Sequence, residues 1–142
     1  MNLFRRTPES SEYPKTDAGT GSFDQYNYNL EPKNKRVTMQ LAGSDQFQDE
    51  LARVAERDEL EYAVFFAKRT DEEERTDAPL PARIFTSDRM SGAVGFVPRG
   101  LEPIVFEAVS RLDRAGRSTR IPGEIVRTRN GFRVVLLMGI TR

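Results

Sequence analysis

Apolar positions first become regular at residue 36. Val37, Met39 and Leu41 recur at period two across residues 36–43, which predicts one face of a half-buried strand ended by Gly43. Ser44 then reads as an N-cap with Asp45 in the first turn, and Phe47, Leu51, Val54 and Ala55 follow at helical spacing. The spacing predicts an amphipathic helix of about three turns. Residues 61–68, with Tyr62, Val64, Phe65 and Phe66 at their centre, read as a strand buried on both faces. Asp71, Glu72, Glu73 and Glu74 end it in a solvated acidic loop.

After Pro79 and Pro81 the period returns to two. Residues 82–86 and 93–97 read as the strands of a hairpin around a polar turn, 87–92. Gly95 lies inside that pattern, where a missing side chain marks a bulge or the close approach of another backbone. Leu101, Ile104, Val105, Ala108, Val109 and Leu112 recur at helical spacing, with Pro103 in the first turn and Gly116 at the stop. Residues 124–129 and 132–138 flank Asn130-Gly131, a hairpin signal because both central residues of a type I′ turn need positive φ. Such a turn sets Arg129 opposite Phe132 and Arg127 opposite Val134, mixing cations with an aromatic on one face.

Residues 1–35 show no apolar period, are polar and contain Pro8, Pro14 and Pro32. They are expected to form a flexible N-terminal arm ahead of a single domain spanning 36–142. Within the arm, Phe23, Tyr26, Tyr28 and Leu30 are spaced to dock on a partner surface or extend a sheet. The expected fold class is α+β: about six strands in an antiparallel sheet, with two helices and the arm.

Composition narrows the chemistry. The 142 residues include neither cysteine nor histidine, which removes disulfides, Cys/His zinc sites, thiolate nucleophiles and every histidine-based triad. The acidic run at 71–74 lacks the spacing of a calcium loop. Asp45 and Asp49 lie one helical turn apart, but that spacing is common on solvated helix faces. The chain is therefore expected to be no enzyme and to need no cofactor or metal. No apolar run approaches the roughly 18 to 20 residues of a membrane span, and no secretory h-region is present, so a cytoplasmic protein without membrane contact is expected.

Net charge is zero, but its distribution is uneven: +1 over residues 1–42, −7 over 43–81 and +6 over 82–142. All eleven cations of the last block are arginines, which suit planar pairing with phosphate or carboxylate. Charge alone leaves two partners open, a nucleic acid or the acidic block of this or another copy.

The order strand, helix, strand, acidic loop, hairpin, helix, hairpin resembles the HIRAN domain over roughly residues 36–140. Leu41-Ala42-Gly43-Ser44-Asp45-Gln46-Phe47-Gln48-Asp49-Glu50-Leu51 is similar to the strand-to-helix junction of its small bacterial and phage stand-alone branch. Val94-Gly95-Phe96-Val97-Pro98 is similar to the family's Gly-aromatic-aliphatic-Pro strand end. The resemblance implies a compact OB-type barrel without catalysis of its own that grips the 3′ end of single-stranded DNA. One segment departs from the family. Where it carries Asn-Pro-Tyr-Asp-x-Asn-Ala, residues 74–82 retain only Asp77 and Ala82, so the base-stacking tyrosine has no counterpart.

Two functions are weighed. The first is binding of single-stranded DNA or DNA ends without sequence specificity, with Arg83, Arg99, Arg127 and Arg129 on phosphates and Phe96 and Phe132 stacking on bases. The alternative is an assembly protein that binds other subunits or a host complex through Phe23, Tyr26, Tyr28 and Leu30.

Overall fold

The computed structural model describes residues 17–86 and 89–142. Residues 1–16 of the expected arm, with Pro8 and Pro14, lie outside the described residues. Strands β1 (Met39–Gln40), β2 (Tyr62–Phe65), β3 (Pro81–Thr86), β4 (Arg89–Phe96), β5 (Ile121–Thr128) and β6 (Gly131–Leu136) form one antiparallel sheet in the order β1-β6-β5-β2-β3-β4. The sheet curls until its edges meet. Ala42, just past β1, exchanges both backbone hydrogen bonds with Phe96 of β4, at 2.7 and 2.8 Å. Gly95 makes room for this rung, since a Cβ there would stand 3.1 Å from the Ala42 carbonyl and 3.0 Å from Ser44 Oγ. The α+β, barrel-like antiparallel sheet is thus the architecture found, with three α-helices where two were expected.

The inward side holds Met39, Val64, Ile84, Val94, Val134 and Leu136, all closed to solvent. Helix α1 (Gln48–Ala55) adds Leu51 and Val54, and α3 (Glu102–Arg114) adds Ile104, Val105 and Ala108. Each large aliphatic buried in this way contributes about 1.5–3 kcal/mol. Pro103 occupies the first turn of α3, and Gly116 follows its end at φ +70°, as the sequence signals require.

Two local expectations are corrected. Residues Ser44–Phe47 form a 3₁₀ turn ahead of α1, and Ser44 is no cap: its buried hydroxyl donates to the Val94 carbonyl at 2.9 Å. The Asp45 N–H donates instead to Asp17 Oδ2 at 2.7 Å. The acidic loop is helix α2 (Asp71–Thr76), opened by a reciprocal cap in which Thr70 Oγ1 accepts from Glu73 N–H and Glu73 Oε1 accepts from Thr70 N–H. Its clustered carboxylates sit in the first turn, where the helix dipole favours them.

The larger difference concerns the arm. Residues 17–35 are bonded to the domain: Thr20 and Gln40 exchange backbone hydrogen bonds at 3.1 and 3.0 Å. Tyr26 is only 4% exposed, and Leu30 packs against the core. Asp17 is fully buried beside Arg133 of β6, whose side chain is itself 2% exposed. Arg133 Nε lies 3.2 Å from Asp17 Oδ1, an ion pair off the hydrogen-bonding direction, while its Nη2 donates to Asp45 Oδ1 at 2.5 Å. Burial raises the Asp17 carboxyl above its ordinary 3.8, opposed first by the Asp45 N–H and then by Arg133. A flexible arm therefore does not describe residues 17–35; their apolar and charged groups find partners far along the chain rather than in a local period.

Candidate nucleic-acid interface

β2 decides the surface. The sequence run suggested burial on both faces, yet the strand alternates: Tyr62 and Val64 are buried, Ala63 and Phe65 half-buried on the other side. Paired residues of neighbouring strands share a side, so register carries this outward face across the sheet. Ala63 stands opposite Pro122 of β5 and Phe85 of β3, and Phe85 stands opposite Met90 of β4. Pro122, Ala63, Phe85 and Met90 thus form one outward row across four strands, about 14 Å long at the usual strand spacing. The next row runs Phe65, Arg83, Ala93.

Cations overlie this apolar row. The Arg120 guanidinium lies 4.0 Å from the Phe85 ring centroid, a cation–π contact worth about 0.5–1 kcal/mol at an exposed site. Arg83 is exposed and donates to the Ser91 carbonyl at 3.4 Å. Among the described residues neither arginine has a carboxylate partner. Met90 is 38% exposed. Glu124, exposed on β5 opposite Val135, marks the acidic edge of the face. Half-exposed rings beside unneutralised guanidinium groups can stack bases and hold phosphates together.

Of the residues singled out in the sequence, Arg83 lies on this face. Phe96 sits at the closing rung, its ring 5.7 Å from that of Phe47 at a tilt of 54°. Arg99 is held by carboxylates, Asp77 Oδ2 at 2.9 Å and Glu102 Oε2 at 3.1 Å. Arg127 and Phe132 stand directly opposite each other, with the guanidinium 5.1 Å from the ring centroid. That pair shares the inward side with Ile125 and Val134, away from Arg83.

The hairpin register behind that pair differs from the one expected. Thr128 pairs with Gly131, so Arg129 and Asn130 occupy the turn and Arg127, not Arg129, faces Phe132. The Gln48 side-chain amide fixes this register: its Oε1 accepts from Phe132 N–H at 2.9 Å and its Nε2 donates to the Phe132 carbonyl at 3.0 Å. Of the arm residues, Tyr26 and Leu30 are turned into the domain, whereas Phe23 is 50% and Tyr28 100% exposed. Phe65, Phe85, Met90 and Arg120 were not singled out as site residues in the sequence, where the run 62–67 is apolar at every position and gives no sign of which side faces outward.

No family model, curated protein or solved structure matches this chain. Among the described residues, no helix is long and apolar enough to cross a membrane.

Proposed function

We propose that this chain binds single-stranded nucleic acid without sequence specificity, through the outward face of β5, β2, β3 and β4. The observation that carries the reading is the row Pro122, Ala63, Phe85 and Met90 with Arg120 stacked 4.0 Å over Phe85. Phe85 and Phe65 offer ring faces to unstacked bases, and Arg83 and Arg120 offer phosphate contacts. None of the four side chains of the row carries a donor or a strong acceptor, so base edges go unread and affinity is sequence-tolerant. An open strand surface suits splayed single strands; reading a duplex calls for an element that enters a groove.

The HIRAN resemblance belongs to the same proposal: a cytoplasmic, cofactor-free, non-catalytic barrel that takes single strands or their ends. In this chain the stacking surface is the sheet face, since residues 74–82 lack the family's tyrosine. Fluorescence anisotropy with a labelled single-stranded oligonucleotide, its 3′ end free or blocked, at two salt concentrations tests it. Salt-sensitive binding that Phe85→Ala weakens supports the sheet face, and loss on 3′ blocking adds end recognition. Absence of binding at low salt overturns the proposal.

A further inference from the structure

A second surface lies on α3, apart from the sheet face. Residues 25–33 fold into a tight loop that displays Tyr28 at full exposure. Asn27 N–H donates to the Glu31 carbonyl, Leu30 N–H to the Asn27 carbonyl and Lys33 N–H to the Gln25 carbonyl, each at 2.9 Å. Asn27 Oδ1 accepts from the N–H groups of Asn29 and Glu31 at 2.9 and 3.0 Å. Buried Tyr26 and Pro32, paired across its base, anchor the loop. Leu30 holds φ +63°, a left-handed conformation unfavourable to a leucine. The loop packs Tyr26, Leu30 and Pro32 against its own chain and holds Tyr28 fully exposed at its tip.

The same side of the molecule carries a matching hollow. Phe66, Phe106 and Val109 line a cavity of about 370 Å³, with Lys68, Ser110 and Asp113 also on its wall. Neither Lys68 nor Asp113 has an ion-pair partner among the described residues. Between the tyrosine loop and this hollow runs a concavity whose lining joins Leu30, Phe106 and Ser110 to the charged Arg69, Glu74 and Glu102, so knob and hollow flank one continuous surface. Glu31, 3.9 Å from Arg142, and Arg114, paired with Glu107 at 3.1 Å, stand beside Tyr28 around the neighbouring depression; both are surface pairs that can be exchanged for Lys68 and Asp113, whose charges are opposite.

From this juxtaposition we infer that the chain forms a two-fold homodimer in which Tyr28 of each copy fills the Phe66, Phe106 and Val109 hollow of the other. A two-fold axis over the joining concavity uses both halves of the surface at once, which is what a self-complementary interface requires. It brings Glu31 of one copy towards Lys68 of the other, and Arg114 towards Asp113. Tyrosine suits the central role because it buries a rigid ring and keeps a polar tip. The inference is independent of the nucleic-acid reading.

Light scattering on the full chain across the micromolar range tests it. The expected result is a concentration-dependent dimer, weakened about tenfold or more by Tyr28→Ala and likewise by Val109→Arg, with circular dichroism unchanged. Because the chain has no cysteine, a second test mixes the Asn29→Cys and Ser110→Cys variants, which keep Tyr28, under oxidising conditions. A disulfide-linked heterodimer, formed far more readily than either variant's homodimer, is expected. A monomer at every concentration, a dimer indifferent to Tyr28→Ala, or no preferential cross-link overturns the inference.

Discussion

The guanidinium of Arg133 and the carboxylate of Asp17 meet 3.2 Å apart with both side chains out of solvent, joining the first described residue to the last long strand. Asp17→Ala leaves Arg133 paired with Asp45 but strips the Asp45 N–H of its acceptor, and an unsatisfied buried donor costs about 1–3 kcal/mol. The substitution is therefore expected to lower the urea-unfolding free energy by about that amount, and deletion of residues 1–20 by at least as much. Combining Asp17→Asn with Arg133→Met removes both charges and is expected to recover part of the loss. A deletion without effect on the midpoint would show that the N-terminal segment does not hold the barrel.

At Gly139 another early segment is pressed against a late one. A Cβ there would stand 2.3 Å from both the carbonyl carbon and the oxygen of Lys35, and backbone cannot swing aside as a side chain can. Gly139→Ala is expected to destabilise by about 1–3 kcal/mol, the usual cost of overpacking. Gly100→Thr, at a position open to solvent but at φ +92°, serves as a control for backbone strain alone. Thermal melts of the two variants separate the causes.

Glu50 ties α1 to the edge strand β4. Its Oε2 accepts from Gly92 N–H at 2.8 Å and its Oε1 from Arg53, and these contacts, the Gly92 N–H first, hold its carboxyl below the ordinary 4.5. A depressed folded-state pKa gives stability that is present above 4.5 and lost as pH falls through the lower folded value. Asp17 has the opposite sign: its raised carboxyl favours the folded state most below 3.8 and loses that contribution as pH rises through the folded value. Glu50→Gln is expected to lower the urea midpoint at neutral pH and to flatten its decline below 4.5, as midpoints measured down to about pH 3 would reveal.

What the sequence disclosed follows the range of the interactions. The period-two Val37, Met39 and Leu41 and the helical spacing of Ile104, Val105, Ala108 and Leu112 are local signals, and all seven side chains are buried. The Thr70 and Glu73 cap is local too, but four adjacent carboxylates obscured it as a helix start. Asn130-Gly131 announced a hairpin, whereas its register rests on Gln48, a residue on α1 that no local rule connects to Phe132. The same holds for Asp17 with Arg133 and for Ala42 with Phe96. Arg99 read as a free cation although Glu102 stands only three residues on; its other partner, Asp77, is brought to it from the C-terminal cap of α2. The sheet face escaped notice for a related reason: only pairing across four strands sets Pro122, Ala63, Phe85 and Met90 in line.

That face makes the sharpest prediction about binding. Stacking on an aromatic contributes about 1–3 kcal/mol per base, so Phe85→Ala is expected to weaken single-strand affinity by roughly five- to 150-fold while leaving the salt dependence almost unchanged. Arg83→Ala works on the other component: each lost phosphate contact on a single strand lowers the slope of log K against log salt by about 0.7. Arg99→Ala, which removes a guanidinium already held by Asp77 and Glu102, is expected to change neither. Glu124→Gln removes the carboxylate at the edge of the face and is expected to strengthen binding at low salt more than at high salt, because screening mutes repulsion between exposed charges. Anisotropy titrations of the four variants over a salt series separate stacking from charge. Undiminished binding by Phe85→Ala together with a loss for Arg99→Ala would move the binding surface off β2, β3, β4 and β5 altogether.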